Sequence, residues 1–362
     1  MPKVSILVPT YNQENYLREA LDSLINQTLD DIEILCINDG STDKTPQILE
    51  EYRFKDKRIK VINKANSGYG ATMNVGLDNA TGDYIGILEP DDFVKNTMFE
   101  DLYSLADKNK LDMVKSDFYY YTTSNKSARQ AGLIKKKNEN KVLSAKDDIF
   151  MLKLPPSIWS AIYKRSFLNK NNIRFLETAG ASFQDTSFAF KTLATAKRLM
   201  FTSKAYLYYR QDNENSSIHR KDKVYNICYE WEEATRYINE RPEIKEVVNQ
   251  VKLSTQFNAY KWNLIRIDDC FKDEFIEKYQ QTFKEYFDNG EIKNEFYIKA
   301  SKKELQILLN DKQSYRKLID EITRKQQEKA KRRKMFSIRI NSSRVSIVLF
   351  GKQVVEIKDF SS

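Results

Sequence analysis

Short apolar runs alternate with amphipathic segments through the first half of the chain. Val4–Tyr11, Ile32–Asn38, Ile59–Ile62 and Tyr84–Leu88 are apolar stretches of strand length. Between them, Asn15–Gln27, Thr45–Phe54 and Ala71–Asn79 carry apolar residues at helical spacing; in the first of these, Leu17, Ala20, Leu21, Leu24 and Ile25 share a face. Thr97–Lys108 and Met113–Tyr121 continue as helix and strand. This order predicts an α/β fold, a mostly parallel sheet flanked by helices on both faces. In such sheets ligands sit beyond the carboxyl ends of the strands. The first, second and fourth strands end in PTYN, NDGSTD and EPDD, so three polar clusters are expected to converge on one edge.

Residues 125–140 are polar and read as a loop. Order resumes at Ser157–Ser166, followed by a helix over Phe183–Ala196 and a strand over Leu199–Arg210. Beyond Asn215 long helical patterns run to about Lys334, and the end alternates like short strands joined by NSSR and GK turns. The expected organisation is a nucleotide-binding domain over 1–215, a helical region over 216–334 and a short hairpin-like tail over 335–362.

Composition narrows the class. The chain has 362 residues with 41% hydrophobic content, enough for a sizeable core. Cys36, Cys228 and Cys270 are far apart and form no C-x-x-C pair, which points away from a disulfide framework or thiolate metal site and towards a reducing, cytoplasmic compartment. The first strand-like run lacks the basic region and cleavage site of a signal peptide. No apolar run approaches the roughly 18 residues of a membrane span. The net charge of +9 is concentrated in residues 312–334, where ten Lys or Arg face three Asp or Glu.

Glu89, Asp91 and Asp92 crowd the end of the fourth strand, with Pro90 stiffening the backbone between them. Clustered carboxylates suit Mg²⁺ or Mn²⁺, which bridge one or two of them to substrate phosphates. A solvated turn with a helix cap is the alternative. In NDGSTDKT, Gly40 permits a tight turn and Ser41 or Asp43 caps a helix, while Asp39 is placed to accept a nucleobase N–H. Asp185 follows Ser182 at the spacing of a capping box.

Taken together, VPTYN, INDGSTDKT, NSGYGATMNVGL, ATGDYIGILEPDD and SFQDTSF, in this order, resemble family 2 glycosyltransferases of the GT-A fold over about residues 3–220. The segment from Ile158 to Phe175 resembles the family's stretch before its catalytic acid. The resemblance implies transfer of a sugar from a nucleotide donor, a UDP-sugar in that Asp39 would read uracil, to a glycan or lipid-linked glycan acceptor with inversion. It implies that Pro9, Thr10 and Asp39 frame the base and ribose, and that Asn66 and Gly68 lie along the nucleotide. Asp92, Asp91 and Glu89 would hold Mn²⁺ or Mg²⁺, with Asp91 also reaching the ribose and His219 as a further ligand. Asp185 would be the general base. Apart from the resemblance, Trp159 and the tyrosines of FYYYTT are aromatics that suit either the core or stacking on an acceptor sugar, with Trp159 the better candidate for the acceptor because it lies close in sequence to the base region.

The chain departs from the family pattern in several places. Met73 stands where relatives carry Arg near the diphosphate, Gln184 replaces a Glu beside the base, and Ser160 and Ala161 replace Asn and Lys. Arg210 and Arg220 are expected as surface charges, or as substitutes for the missing Arg. The basic segment 312–334 is a solvated helix end, a docking site for an anionic membrane surface, or a contact for an anionic polymer; no nucleic-acid signature accompanies it. A nucleotidyltransferase would carry a glycine-rich basic loop after the first strand, and PTYNQENYL has neither feature; the departures at Met73, Ser160, Ala161 and Gln184 keep a non-catalytic nucleotide-sugar or glycan-binding protein as the alternative.

Overall fold

The computed structural model describes residues 1–213, 223–293, 299–341, 344–349 and 352–358. It divides into two compact units, Met1–Asn258 and Ala259–Ser362. In the first unit β1 (Val4–Thr10), α1 (Leu17–Ile25), β2 (Ile32–Asn38), α2 (Thr45–Lys55), β3 (Ile59–Asn63), α3 (Tyr69–Asn79) and β4 (Tyr84–Ile87) alternate as expected. Then come β5 (Phe93–Val94), α4 (Met98–Lys108), β6 (Met113–Thr122), β7 (Ser127–Gln130), β8 (Val142–Leu143), β9 (Ala161–Lys164), α5 (Arg165–Lys170), α6 (Gln184–Thr195), β10 (Leu199–Arg210) and α7 (Asn226–Asn239). The helix α8 (Pro242–Arg266) follows.

The sheet order is β3-β2-β1-β4-β9-β6-β10-β5. β3, β2, β1 and β4 are mutually parallel, and β6 pairs parallel with β10. Only the short β9 runs against both its neighbours, β4 and β6. β1, β2, β3, β4, β6 and β10 therefore point one way, and their carboxyl ends share an edge. All seven residues of β1 and of β2 are buried. Helices cover both faces of these strands, which is why their sequences are continuous apolar runs rather than alternating ones.

Two features depart from expectation. Part of the polar stretch 125–140 is a strand: β7 pairs antiparallel with the end of β6, Tyr119↔Gln130 to Thr122↔Ser127. All four β7 residues are exposed; backbone pairing holds the strand, helped by the Gln130 side chain donating to Asp117 Oδ2 and Ser203 O at 2.8 Å each, and no alternation reveals it. The first unit also extends past residue 215. α7 lies on α6, with Lys191 Nζ 2.9 Å from Glu233 and Thr195 Oγ1 3.1 Å from the Tyr237 hydroxyl.

The second unit contains α9 (Asp269–Asp288), α10 (Lys299–Asn310) and α11 (Lys312–Met335). Its core is aromatic: Tyr279 packs against Tyr260, Phe283 and Tyr315 with centroids 5.3, 5.4 and 5.8 Å away. Residues 324–332 of the basic segment are exposed. β11 (Phe336–Asn341), β12 (Arg344–Leu349) and β13 (Lys352–Lys358) form a three-stranded antiparallel sheet. Its turn residues 342–343 and 350–351 lie outside the described residues. Among the described residues no helix is long and apolar enough to cross a membrane.

Candidate active site

The carboxyl edge of the sheet is knitted before it is functional. The Asp39 N–H donates to Thr10 O at 2.9 Å, joining the ends of β1 and β2. Asn12 ties the two loops together: its N–H donates to Ser41 Oγ at 3.0 Å, and its Oδ1 accepts from Thr42 N at 2.8 Å. Asp43 accepts from Thr45 N and Glu14 N at 2.9 and 3.1 Å. Asp43 thus serves the start of α2, and Ser41 ties loops together rather than capping the helix. Pro9 and Thr10 are buried at the end of β1, and the Thr10 hydroxyl donates to Ile37 O at 3.1 Å.

Asp39 is 4% exposed. Its Oδ1 accepts from the Lys64 ammonium and, at 2.9 Å, from Ser67 N; its Oδ2 accepts from Gly68 N at 3.0 Å. The carboxylate therefore organises the loop before α3, and Lys64 is a partner that the sequence did not suggest. Asn66 is exposed and donates to Asp39 O at 3.0 Å.

The glycines of NSGYGAT receive another part of the chain. Gly68 has φ +92, and a Cβ there would stand 2.7 Å from Thr178 O. A Cβ on Gly70 would stand 2.0 Å from Leu176 O. The Tyr69 N–H at the start of α3 donates to Gly180 O at 3.0 Å, and the Asn74 side chain exchanges hydrogen bonds of 3.0 and 2.9 Å with the Phe175 backbone. The motif thus holds segment 175–180, which leads into α6 and Asp185.

The acidic cluster begins in a turn. Asp92 N donates to Glu89 O at 3.1 Å, with Pro90 at the second position, where its fixed φ suits a β-turn. The three carboxylates have separate partners. Glu89 Oε1 accepts from the Tyr69 hydroxyl at 2.6 Å. Asp91 Oδ2 accepts from Asn213 Nδ2 at 2.7 Å. Asp92 is buried; its Oδ1 accepts from Arg210 N at 2.9 Å, and its Oδ2 has no partner. Burial, with Asp91 as a like charge beside each, pushes the Glu89 carboxyl up to about 8 and the Asp92 carboxyl well above the usual carboxylate range. Among the described residues no three His, Cys, Asp or Glu side chains are gathered closely enough to ligate one ion by themselves.

Asp185 joins the cluster from the first turn of α6. The chain enters this helix through Phe183 in the left-handed region, φ 67. The expected capping box does not form: Ser182 N donates to Gln184 Oε1 at 2.6 Å instead. Gln184 Nε2 is also committed, to Thr178 Oγ1 at 2.8 Å and Gly180 O at 3.1 Å. The Asp185 carboxylate accepts only a long hydrogen bond, 3.5 Å from Thr186 Oγ1, and its charge raises both the Tyr69 hydroxyl and the Glu89 carboxyl. Burial pushes Asp185 itself up to about 7, against the pull of nearby backbone N–H groups.

Three further groups escaped the sequence reading. Burial, with the charges of Asp92, Asp91, Asp185 and Glu89, raises the Tyr209 hydroxyl. Its ring stacks on Trp159 at 5.1 Å, and Trp159, only 8% exposed, forms the floor beneath it. Alternating aromatics in AYLYYR were the available signal. Lys115, buried opposite Ala161 in the β6–β9 pairing, donates to Ser157 O, Ser157 Oγ and Ser160 Oγ at 2.6, 2.8 and 2.9 Å. Burial pushes its ammonium down to about 7. Glu230 of α7 is buried behind Asp185 and accepts from Ser187 N at 3.2 Å; burial raises it to about 8. No local pattern marks it.

Arg210 corrects an expectation. It is 4% exposed, not a surface charge, because its guanidinium is consumed internally. Nε donates to Asp91 O at 2.7 Å, and the remaining nitrogens reach Glu19 and Thr123. The rings of Tyr16, Phe93 and Tyr121 surround it at 4.9, 5.8 and 5.4 Å. Met73 is fully buried in α3 and offers the edge nothing. His219 and Arg220 lie outside the described residues.

Comparison with known proteins agrees with this architecture. A family model described as glycosyl transferase family 2 matches residues 5–171. The glycosyltransferase EpsJ of Bacillus subtilis is 35% identical over 222 residues, 60% of this chain and 63% of that protein. The glycosyltransferase YibD of Escherichia coli is 30% identical over 233 residues, 63% of this chain and 67% of that protein. The matches thus span between three fifths and about two thirds of these relatives' own lengths. Among solved structures, S. aureus TarS 1–349 superposes with a TM-score of 0.58 at 20% identity, covering 96% of both chains. The same TarS segment in complex with UDP-GlcNAc gives 0.59 at 19% identity, covering 96% of this chain and 97% of that one. The shared fold is GT-A, and with the family model and YibD in agreement, the chain belongs to glycosyltransferase family 2.

Proposed function

We propose that this chain is an inverting glycosyltransferase that moves a sugar from a UDP-sugar to a hydroxyl of a cell-surface glycan acceptor, lipid-linked or polymeric. The observation that carries the reading is the acidic turn at the carboxyl edge of the sheet, where Glu89 accepts from the Tyr69 hydroxyl and the Oδ2 of buried Asp92 is left without a partner, with the segment leading to Asp185 held against the start of α3 by Tyr69 N to Gly180 O at 3.0 Å. Asp185 is the general base. With its carboxyl at about 7, it can take the acceptor's proton as the hydroxyl oxygen attacks the anomeric carbon. A base so placed typically contributes about 10² to 10⁴-fold. The new C–O bond forms as the bond to the diphosphate breaks on the opposite face, so the anomeric centre inverts. Gln184, held in its loop by three hydrogen bonds, takes no part in proton transfer.

The donor set fits Mn²⁺ or Mg²⁺. Such ions commonly take one or two carboxylates and complete their shell with phosphate and water, so a ready three-carboxylate cage is not required. Asp91, which keeps solvent contact, and the unpartnered Oδ2 of Asp92 are the ligands in this reading, with Glu89 beside them. When bound, the ion supplies positive charge to the departing diphosphate. Pro9, Thr10 and Asp39 frame the base and ribose; Asp39 Oδ2, with one hydrogen bond, keeps an acceptor position for a base N–H. Asn66 borders the nucleotide on the exposed side. Tyr209, floored by Trp159, orients the acceptor. TarS, solved with UDP-GlcNAc, shares the fold, which is in keeping with a UDP-sugar donor. The basic end of α11 supports an acceptor presented at an anionic surface.

Thermal unfolding with UDP, GDP and CDP, each with and without Mn²⁺, tests the donor site. Metal-dependent stabilisation by UDP alone, lost in Asp91→Asn and Asp92→Asn, is expected. Stabilisation by GDP or CDP in place of UDP would overturn the donor assignment. Nucleotide binding with turnover indifferent to Asp185→Asn would favour a non-catalytic nucleotide-sugar-binding protein.

A further inference from the structure

A second surface of the first unit has a different chemistry. Residues 126–153 contain eight Lys or Arg against three Asp or Glu. The three acids are spent locally. Glu139 accepts from Ser203 N and Oγ, Asp147 from Ser144 N and Oγ, and Asp148 from Asn138 Nδ2 and Phe150 N. Lys126, Lys135, Lys136, Lys141 and Lys146 are exposed, and none of them forms an ion pair. The excess positive charge of the segment therefore faces solvent.

This charge surrounds apolar surface. A groove of about 260 Å³ is lined by Leu133, Ile134, Met151, Leu154 and Phe201, with Lys135 and Phe150 also lining it. Phe150 is 65% exposed, and Lys153 Nζ lies 5.1 Å from its ring centroid. Val142, 38% exposed, is on β8 and pairs with Met200, next to the groove residue Phe201. The patch is remote from the acidic cluster. Phe201 and Tyr209 are eight residues apart on β10, which corresponds to roughly 25 Å of strand.

We infer that this patch is a docking surface for an anionic lipid bilayer, with Phe150 entering the interface and the surrounding lysines meeting lipid phosphates. An exposed aromatic beside an apolar groove calls for hydrocarbon, and unpaired lysines around it call for anionic headgroups. A soluble anionic polymer would use the lysines and leave the groove and Phe150 in water. A nucleic acid would call for aromatic faces spaced along a basic channel, whereas here one ring stands at the edge of an apolar groove. The inference is independent of the reaction proposed above, since it uses none of the residues at the carboxyl edge.

Co-sedimentation of the full chain with vesicles tests it, using phosphatidylcholine alone and phosphatidylcholine with about a third phosphatidylglycerol. The variants are Phe150→Ser, the pair Lys135→Glu and Lys136→Glu, and, in α11, the pair Lys331→Glu and Arg332→Glu. All are exposed positions, and unchanged circular dichroism and unfolding temperature certify each protein. Wild type is expected to bind only the anionic vesicles and to release them at high salt. Phe150→Ser and the Lys135/Lys136 pair are each expected to weaken partitioning at least tenfold, with transfer to a soluble acceptor unchanged. Failure of wild type to bind anionic vesicles overturns the inference, as does equal binding to phosphatidylcholine alone. Wild-type binding by both patch variants, with loss only in the α11 variant, also overturns it and assigns docking to the tail.

Discussion

Replacing Asp185 by Asn separates what this carboxylate does for chemistry from what it costs the fold. Burial holds the group at about 7 against an ordinary 3.8. The folded chain therefore binds this proton more tightly than the unfolded chain does. The corresponding stability is fully present below the unfolded value and is lost as the pH rises to about 7. At about 1.36 kcal/mol per unit, the ionised side chain costs the fold up to about 4 kcal/mol at about pH 8 and under about 1 kcal/mol at about pH 4. Asn keeps the shape and carries no charge to desolvate.

Asp185 is only half-buried, and partial solvation lowers that ceiling, so Asp185→Asn is expected to gain about 2 kcal/mol above about pH 7, or roughly 4–8 °C in midpoint for a unit of this size. The gap to wild type should close on acidification. Scanning calorimetry between about pH 4 and 8 reads the stability, and a radiolabelled-donor assay reads transfer, which should fall by at least about 10²-fold. Coincident midpoints across the whole range would refute the buried-charge reasoning. A stabilised variant with near-wild-type turnover would refute the base assignment alone.

Three other substitutions probe the groups around this carboxylate. Tyr69→Phe removes the 2.6 Å hydrogen bond that draws Glu89 down; Glu89 should then hold its proton to higher pH, and Mn²⁺-dependent stabilisation near neutral pH should weaken, so an unchanged Mn²⁺ titration would count against it. Gly68→Ala puts a Cβ at φ +92 and 2.7 Å from Thr178 O, and should cost about 2 kcal/mol or more in urea unfolding and disturb turnover through segment 175–180; a neutral result would show that this approach is not tight. Arg210→Met strips the bridge between Asp91 O, Glu19 and Thr123 and should cost about 2–4 kcal/mol, whereas a surface arginine would cost almost nothing.

Fold and site were unequally legible, and the reason is the range of the interactions. β1 and β2 are buried along their whole length, so their identity is written in consecutive residues. The edge on which the polar clusters meet follows from strand direction alone. β7 has no buried face and leaves no pattern to read. Arg210 next to a strand end reads as a surface charge because its partner Glu19 lies 191 positions away. Glu230 is invisible for the same reason. The glycines of NSGYGAT show the limit most clearly. A glycine announces that something approaches the backbone closely, and says nothing of what approaches. The resemblance lays Gly68 along the nucleotide; the structure adds neighbours from within the chain, Thr178 against Gly68 and Leu176 against Gly70. The motif thereby gains a second role. By fixing 175–180 it sets where α6 begins, and so where Asp185 stands relative to Glu89. A glycine-rich turn on one side of the cleft is in this way a positioning device for the carboxylate on the other.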